Sequence, residues 1–149
     1  MESLEKMKKR IVEIAYRHKL SHLGSYFSCL PVIDEIYSTK DNDDIFILSC
    51  GHAAVALYVA LENYEDSNAE ELFKKHGGHP HRNEKDGIYC STGSLGMGLP
   101  FAGGKALANR DRKVHCLISD GECAEGSIWE SLKFIYENNV NNIEVYVSV

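Results

Sequence analysis

Residues 114–149 read VHCLISDGECAEGSIWESLKFIYENNVNNIEVYVSV, and this stretch decides the fold class. VHCLIS, Val114 to Ser119, is an apolar run of strand length rich in β-formers. DGECAEG follows as a polar turn. Ser127 and Glu130 have the spacing of a capping box, in which a hydroxyl and a carboxyl satisfy each other's backbone donors at a helix start. Ile128, Trp129, Leu132, Ile135 and Tyr136 then recur at helical spacing, which predicts one buried helix face. NNVNN ends that helix, and IEVYVSV, Ile143 to Val149, is a second strand. Strand, helix and strand with loops this short predict a right-handed βαβ unit in a parallel sheet. The chain is therefore of the α/β class.

Working back from this unit, IFIL at Ile45 to Leu48 is another buried strand, set off by the DNDD turn before it. Leu4, Met7, Ile11, Ile14, Ala15 and His18 mark an amphipathic helix over about Ser3 to His18, which SHLGS at 21–25 breaks. A second helix is expected from about Cys29 to Tyr37. Pro31 would sit in its first turn, where a missing N–H costs little. Gly51 to Glu62 reads as a helix, Ser67 with Glu70 opens another to about Lys75, and Leu95 to Asn109 is a glycine-rich apolar helix. Residues 77–92 read as irregular. No repeat or linker interrupts 1–149, so one domain is expected.

The composition narrows the function classes. Of 149 residues 44% are hydrophobic and 26% charged, with a net charge of -6, which suits a soluble globular domain. Basic residues cluster only at Lys8, Lys9 and Arg10, beside acids, so nucleic-acid binding is not expected. The longest apolar run, Ala53 to Leu61, is far short of the roughly 20 residues that span a bilayer, so no membrane role is expected. The N-terminus MESLEKMKKR lacks the apolar core of a signal peptide. The five cysteines are an odd number with no CxxC pair. Reduced thiols in a cytoplasmic protein follow as the expectation.

In open parallel sheets ligands sit beyond the carboxyl ends of the strands. Asp120 lies just past one such end, and the next helix points its N-terminus to the same space. A carboxylate there can hold a divalent cation, and helix-terminal N–H groups favour phosphate. Gly121 lets backbone approach a ligand closely. Taken alone, an Asp-Gly pair more often serves an ordinary turn. Gly93, Gly96 and Gly98 form GSLGMG ahead of a helix, a pattern that serves anion binding or close packing equally. Three of the seven histidines follow glycine- or serine-rich breaks: His22 in SHLG, His52 in CGHA and His79 in GGHP. Imidazoles at such positions suit anion binding and proton transfer. His76, His79 and His81 raise a zinc site, but no regular Cys/His spacing supports it. His18 and His115 fall inside elements and read as structural.

Taken in order, SHLGSYFSCLPVIDEIY, ILSCGHAAVALYVAL, GGHPHRNEKDGIYCSTGSLGMGLPFAGGKALA and SDGECAEGSIWESL resemble the transketolase family. The likeness is strongest to its short N-terminal-section members and covers nearly the whole chain, with a shorter segment around Tyr64 to Lys75. The resemblance implies part of a three-layer thiamine-diphosphate-binding fold with a mainly parallel sheet. It also implies a transferase moving a two-carbon ketol unit between sugar phosphates with thiamine diphosphate and Mg²⁺. It assigns Asp120 as a metal ligand and Gly121 as the glycine beside the diphosphate. Gly93, Ser94 and Leu95 become the loop at the cofactor's rings, and His52 lies near the diphosphate and the reaction centre. His22 and His79 hold sugar hydroxyls and help move protons, and Glu125 joins a carboxylate network between protomers.

Three departures from the family's pattern stand out. Ser119 replaces the usual glycine before the aspartate, and Cys50 replaces the lysine that commonly precedes the Gly-His pair. The second metal ligand, an Asn about 30 residues after the Asp by the resemblance, would fall just past Val149. The remainder of the cofactor domain, and the domain supplying an activating glutamate, are likewise outside the sequence. Either the sequence is a truncated form or another chain, or a homodimer partner, completes it. Two alternatives stand beside the transferase reading. One is a non-catalytic remnant that assembles with a relative. The other is a deoxyxylulose-phosphate-type synthase, against which the GGHP loop and STGSLG favour the transketolase branch.

Overall fold

A computed structural model describes residues 2–149. Three strands form one sheet in the order β1-β2-β3: β1 is Ile45–Leu48, β2 is Val114–Ser119 and β3 is Ile143–Ser148. All neighbours run parallel, with Ile45 opposite Val114 and Val114 opposite Ile143. Parallel strands need crossovers that cover the sheet's faces. Here α3 (Ala54–Tyr64), α4 (Ala69–His76) and α5 (Gly98–Ala108) lie between β1 and β2, and α6 (Gly126–Glu137) lies between β2 and β3. Helices α1 (Leu4–His18) and α2 (Leu23–Thr39) precede the sheet.

Because strand side chains alternate between faces, the sheet divides two cores. Phe46, Leu48 and Leu117 join the core built from α1 to α4, while Ile45, Ile47, Val114, Cys116 and Ile118 join that of α5 and α6. This is a helix–sheet–helix sandwich, the expected three-layer α/β architecture. Helix α3 is buried from Ala54 to Leu61. An all-round apolar helix of this kind can only sit inside the molecule. Its Tyr58 hydroxyl, which would otherwise be stranded, donates to the Gly77 carbonyl at 3.0 Å. Among the described residues no helix is long and apolar enough to cross a membrane.

Several local expectations are corrected. Helix α2 begins at Leu23, not Cys29, and Pro31 lies in its interior. The buried stripe Tyr26, Cys29, Leu30, Ile33, Ile36 and Tyr37 extends back past the break signals, so tertiary burial outweighs the cost of Gly24 and Pro31. Pro31 itself is exposed. Asn68, not Ser67, caps α4, its Oδ1 accepting from the N–H groups of Glu70 at 3.1 Å and Glu71 at 3.0 Å. Helix α5 starts at Gly98 rather than Leu95, because Gly96 has φ +73°, a left-handed conformation that interrupts a helix. The expected helix from Gly51 opens as a 3-10 turn over Gly51–Ala53.

Helix α6 starts at Gly126, so Ser127 is not its cap; its hydroxyl donates to the Gly96 carbonyl at 2.9 Å instead. Trp129 and Tyr136 are not in the buried face, being 62% and 84% exposed. The inward stripe is Ile128, Ser131, Leu132 and Ile135. Trp129 still closes the start of α6, its indole N–H donating to the Cys123 carbonyl at 2.8 Å.

Candidate functional site

The carboxyl ends of the three parallel strands open into a cleft of about 350 Å³. Each wall comes from a residue that follows or precedes a secondary element. His22 immediately precedes α2, His52 lies in the 3-10 turn after β1, Asp120 and Gly121 follow β2, and Ser148 ends β3. Leu95, Ser28 and Cys29 complete much of the lining. Larger grooves exist elsewhere. The one along α1, about 630 Å³ and lined by Val12, Ala15, Tyr16, Arg17, Lys19, Leu20 and Leu23, holds neither a histidine nor a carboxylate.

The imidazoles of His22 and His52 lie 5.4 Å apart, centroid to centroid. Partial burial first, then the charges of His22 and His79, hold His52 below the ordinary imidazole value, against the opposing pull of Glu122. Desolvation and like charge both disfavour the imidazolium, so His52 is neutral near pH 7. Asp120 is exposed, with Oδ1 accepting from the Gly121 N–H at 2.8 Å and Oδ2 directed to no protein donor among the described residues.

Of the loop residues expected here, Leu95 lines the cleft, while Gly93 and Ser94 are exposed and outside its lining. Gly93 has φ +148°, a backbone state essentially reserved for glycine. A Cβ placed on it would lie 3.3 Å from the His79 ring, so His79 packs on this loop and not in the cleft. A Cβ on Gly51 would lie 2.7 Å from the Thr92 carbonyl carbon and 2.8 Å from the Gly93 nitrogen. Only glycine at 51 therefore allows the His52 turn to dock against the 92–94 loop. Glu125 is displaced from the cleft: its side chain packs beside Gly96.

One residue at the site has no counterpart in the sequence reading. The sequence places Glu122 in a polar turn, yet it is fully buried. Its Oε1 accepts from the Ser49 hydroxyl at 2.6 Å and the Gly96 N–H at 2.9 Å, and its Oε2 accepts from the Ser119 N–H at 3.0 Å. One carboxylate thus joins the ends of β1 and β2 to the glycine-rich loop. Two of these partners come from segments 26 and 73 residues away, so no local pattern announces it.

The remaining histidines lie outside the cleft. His76 contacts Asp86 at 2.7 Å, which occupies one ring nitrogen of the supposed zinc group, and His81 is exposed. His18 contacts Glu70 at 3.1 Å, and His115 lies between Tyr146 and Asp44. Among the described residues no group of three His, Cys, Asp or Glu side chains could hold a metal ion by itself. Asp120 fits a hydrated cation only as one ligand among several. This is how Mg²⁺ is commonly bound, through one or two carboxylates with phosphate oxygens and water. Thr92 Oγ1 is buried with no hydrogen-bond partner; such a polar atom beside Gly51 and Gly93 is consistent with a ligand-binding loop.

Comparison with known proteins identifies relatives of the whole fold. The family described as transketolase, thiamine diphosphate binding domain, matches residues 32–143. One of the chains of the apulose-4-phosphate transketolase of Phocaeicola vulgatus is 37% identical, over 85% of this chain and 52% of that protein. Human transketolase is 33% identical, over 76% of this chain and 20% of that protein. The chain thus spans about half the length of the Phocaeicola relative. A transketolase structure from Leishmania mexicana superposes with a TM-score of 0.82 over 99% of this chain and 27% of that one, at 23% identity. One from Pichia stipitis gives 0.80 over 97% and 26%, at 22% identity. The family match over residues 32–143 shows that the chain belongs to the transketolase family, in its thiamine diphosphate binding domain.

Proposed function

We propose that this chain is the diphosphate- and metal-binding portion of a transketolase-type transferase, working in the cytoplasm with a completing chain or a homodimer partner. The observation that carries the reading is the convergence of His22, His52, Leu95, Asp120 and Gly121 in one cleft at the strand ends. A cation site, close backbone approach and imidazoles are what a metal-bound diphosphate and a polyhydroxylated substrate require. Relatives from Phocaeicola vulgatus and Actinobacillus succinogenes are each named as one component of an apulose-4-phosphate transketolase, which supports an arrangement of more than one chain.

When bound, thiamine diphosphate supplies the electron sink that stabilises a two-carbon carbanion equivalent from a sugar phosphate. The chain's own groups would do the rest. Asp120 would ligate Mg²⁺, and Gly121 would allow backbone to approach the diphosphate. Gly93, Ser94 and Leu95 would flank the cofactor's rings, with Leu95 limiting water. His52, held below the ordinary imidazole value by burial first and by His22 next, would take a proton from a hydroxyl and return it. His22 would orient sugar hydroxyls in the cleft, and His79, packed on the Gly93 loop outside its lining, would meet only a substrate that extends past that loop. Glu125, packed beside Gly96 and outside the cleft lining, would join a contact between protomers.

Among the described residues Asp120 is the one side-chain carboxylate lining the cleft, so the isolated chain should bind the cofactor weakly. Calorimetric titration with thiamine diphosphate and Mg²⁺ tests this. Weak or absent binding and no turnover of sugar phosphates are expected; micromolar binding by the chain alone would contradict the incomplete-site reading.

A further inference from the structure

The transferase reading leaves one chemically reactive feature of the cleft unused. Cys29 on α2 and Cys50 after β1 bring their sulfurs to 3.7 Å. Both are reduced. Cys29 is only 2% exposed, but it is one of the residues that line the cleft. A solute the size of water or peroxide can therefore reach it. Cys50 is fully buried behind it, its thiol directed at the Leu117 carbonyl at 3.8 Å. One sulfur at an opening and a second directly behind it is the arrangement of an attacking and a resolving thiol.

We propose that Cys29 and Cys50 are a modification site: on exposure to a peroxide they form a reversible intrachain disulfide in the wall of the histidine cleft. The sulfurs must close by roughly 1.6 Å to reach bonding distance, a movement of the kind side-chain rotation supplies. The hydrogen bond with Cys50 pulls the Cys29 thiol down to about 7; burial opposes this, and the Ser148 and Ser28 hydroxyls assist it. Cys50, stripped of solvent and beside Cys29, is pushed up. Both directions favour Cys29 as the thiol that ionises and Cys50 as the partner that keeps its proton.

The ionised Cys29 sulfur attacks one peroxide oxygen and the O–O bond breaks. The departing hydroxide takes up the proton Cys29 released, giving water and a Cys29 sulfenic acid. The Cys50 sulfur then attacks the Cys29 sulfur, the S–O bond breaks, and hydroxide leaves with the Cys50 proton as a second water. Each sulfur gives up one electron and the peroxide takes two. The product ties the turn carrying Gly51 and His52 covalently to α2, fixing His52 against the helix that His22 precedes. A dithiol reverses it.

The test treats the 149-residue chain with hydrogen peroxide, blocks remaining thiols with N-ethylmaleimide under denaturing conditions, and reads peptides by mass spectrometry. The expected product is a linked Cys29–Cys50 peptide pair, two hydrogens lighter than the separate thiols and abolished by dithiothreitol. It should form at doses that leave Cys90, Cys116 and Cys123 alkylated. In Cys50→Ser, dimedone present as the treated protein is denatured should trap a sulfenic acid at Cys29. Alkylation of both Cys29 and Cys50 after treatment, a crosslink to another cysteine, or no dimedone adduct at Cys29 in the variant would each overturn the proposal. No cofactor enters this experiment, so its outcome is separate from that of the transferase reading.

Discussion

The Ser49 hydroxyl donates to Glu122 Oε1 at 2.6 Å inside the protein, and Glu122 is hydrogen-bonded to Ser119 of the cleft lining. Ser49 Oγ also accepts from the Gly98 N–H at 3.2 Å, and Glu122 accepts from the backbones of Gly96 and Ser119. Two side chains therefore hold the end of β1, the end of β2 and the start of α5 in one arrangement. A buried carboxylate with three donors aimed at it is both costly to form and costly to lose.

Glu122→Gln keeps the shape but turns an acceptor into a donor facing donors. It should lower unfolding stability by roughly 3 kcal/mol, because buried N–H groups lose their acceptor. Urea unfolding with an unchanged slope measures this. A loss under about 0.5 kcal/mol, the usual range of a surface change, would show that the carboxylate does not organise the loop.

Two glycines should respond in opposite directions. In Gly51→Ala the new Cβ meets the backbone of Thr92 and Gly93, which cannot rotate away, so a loss of about 2 kcal/mol is expected. In Gly24→Ala nothing lies within 4 Å of the new atom. That change should gain about 0.5 kcal/mol from helix propensity and a less flexible unfolded chain. Equal effects from the two variants would mean that the docking of the His52 turn on the 92–94 loop is not as described.

His52 supplies a pH signature. Its folded value lies below the ordinary 6.5 because of burial and its two histidine neighbours. In the window between the folded value and 6.5 the unfolded state binds more protons than the folded one. Stability from this group is thus present above that window and lost as pH falls through it. Proton NMR titration should find His52 titrating below 6.5, and moving upward in His22→Gln as one repulsive charge is removed. A value of 6.5 or above in the unsubstituted chain would contradict the geometry.

The elements with the strongest internal periodicity are the most legible in the sequence. Ile45 to Leu48 and Val114 to Ser119 carry compact apolar runs, and the strand assignments there match the structure residue for residue. The start of α2 is not legible, because Gly24 and Pro31 are local break signals and the burial that overrides them comes from α1 and α3. Trp129 and Tyr136 sit one step around the helix from Ile128 and Ile135, so an apolar count blurs a boundary of about 100° per residue. At the site, the order of the histidine and Asp-Gly motifs leads to the cleft. Glu122 escapes such a reading, since a glutamate is normally exposed and distant segments supply most of its donors.

The central claim is that Asp120 and its neighbours hold a metal-bound diphosphate. Calorimetric titration of thiamine diphosphate and Mg²⁺ into the chain extended past Val149, or joined by its completing chain, tests it most directly. Mg²⁺-dependent binding is expected there, abolished by Asp120→Ala. Undiminished cofactor binding by the Asp120→Ala form would contradict the claim while leaving the fold intact.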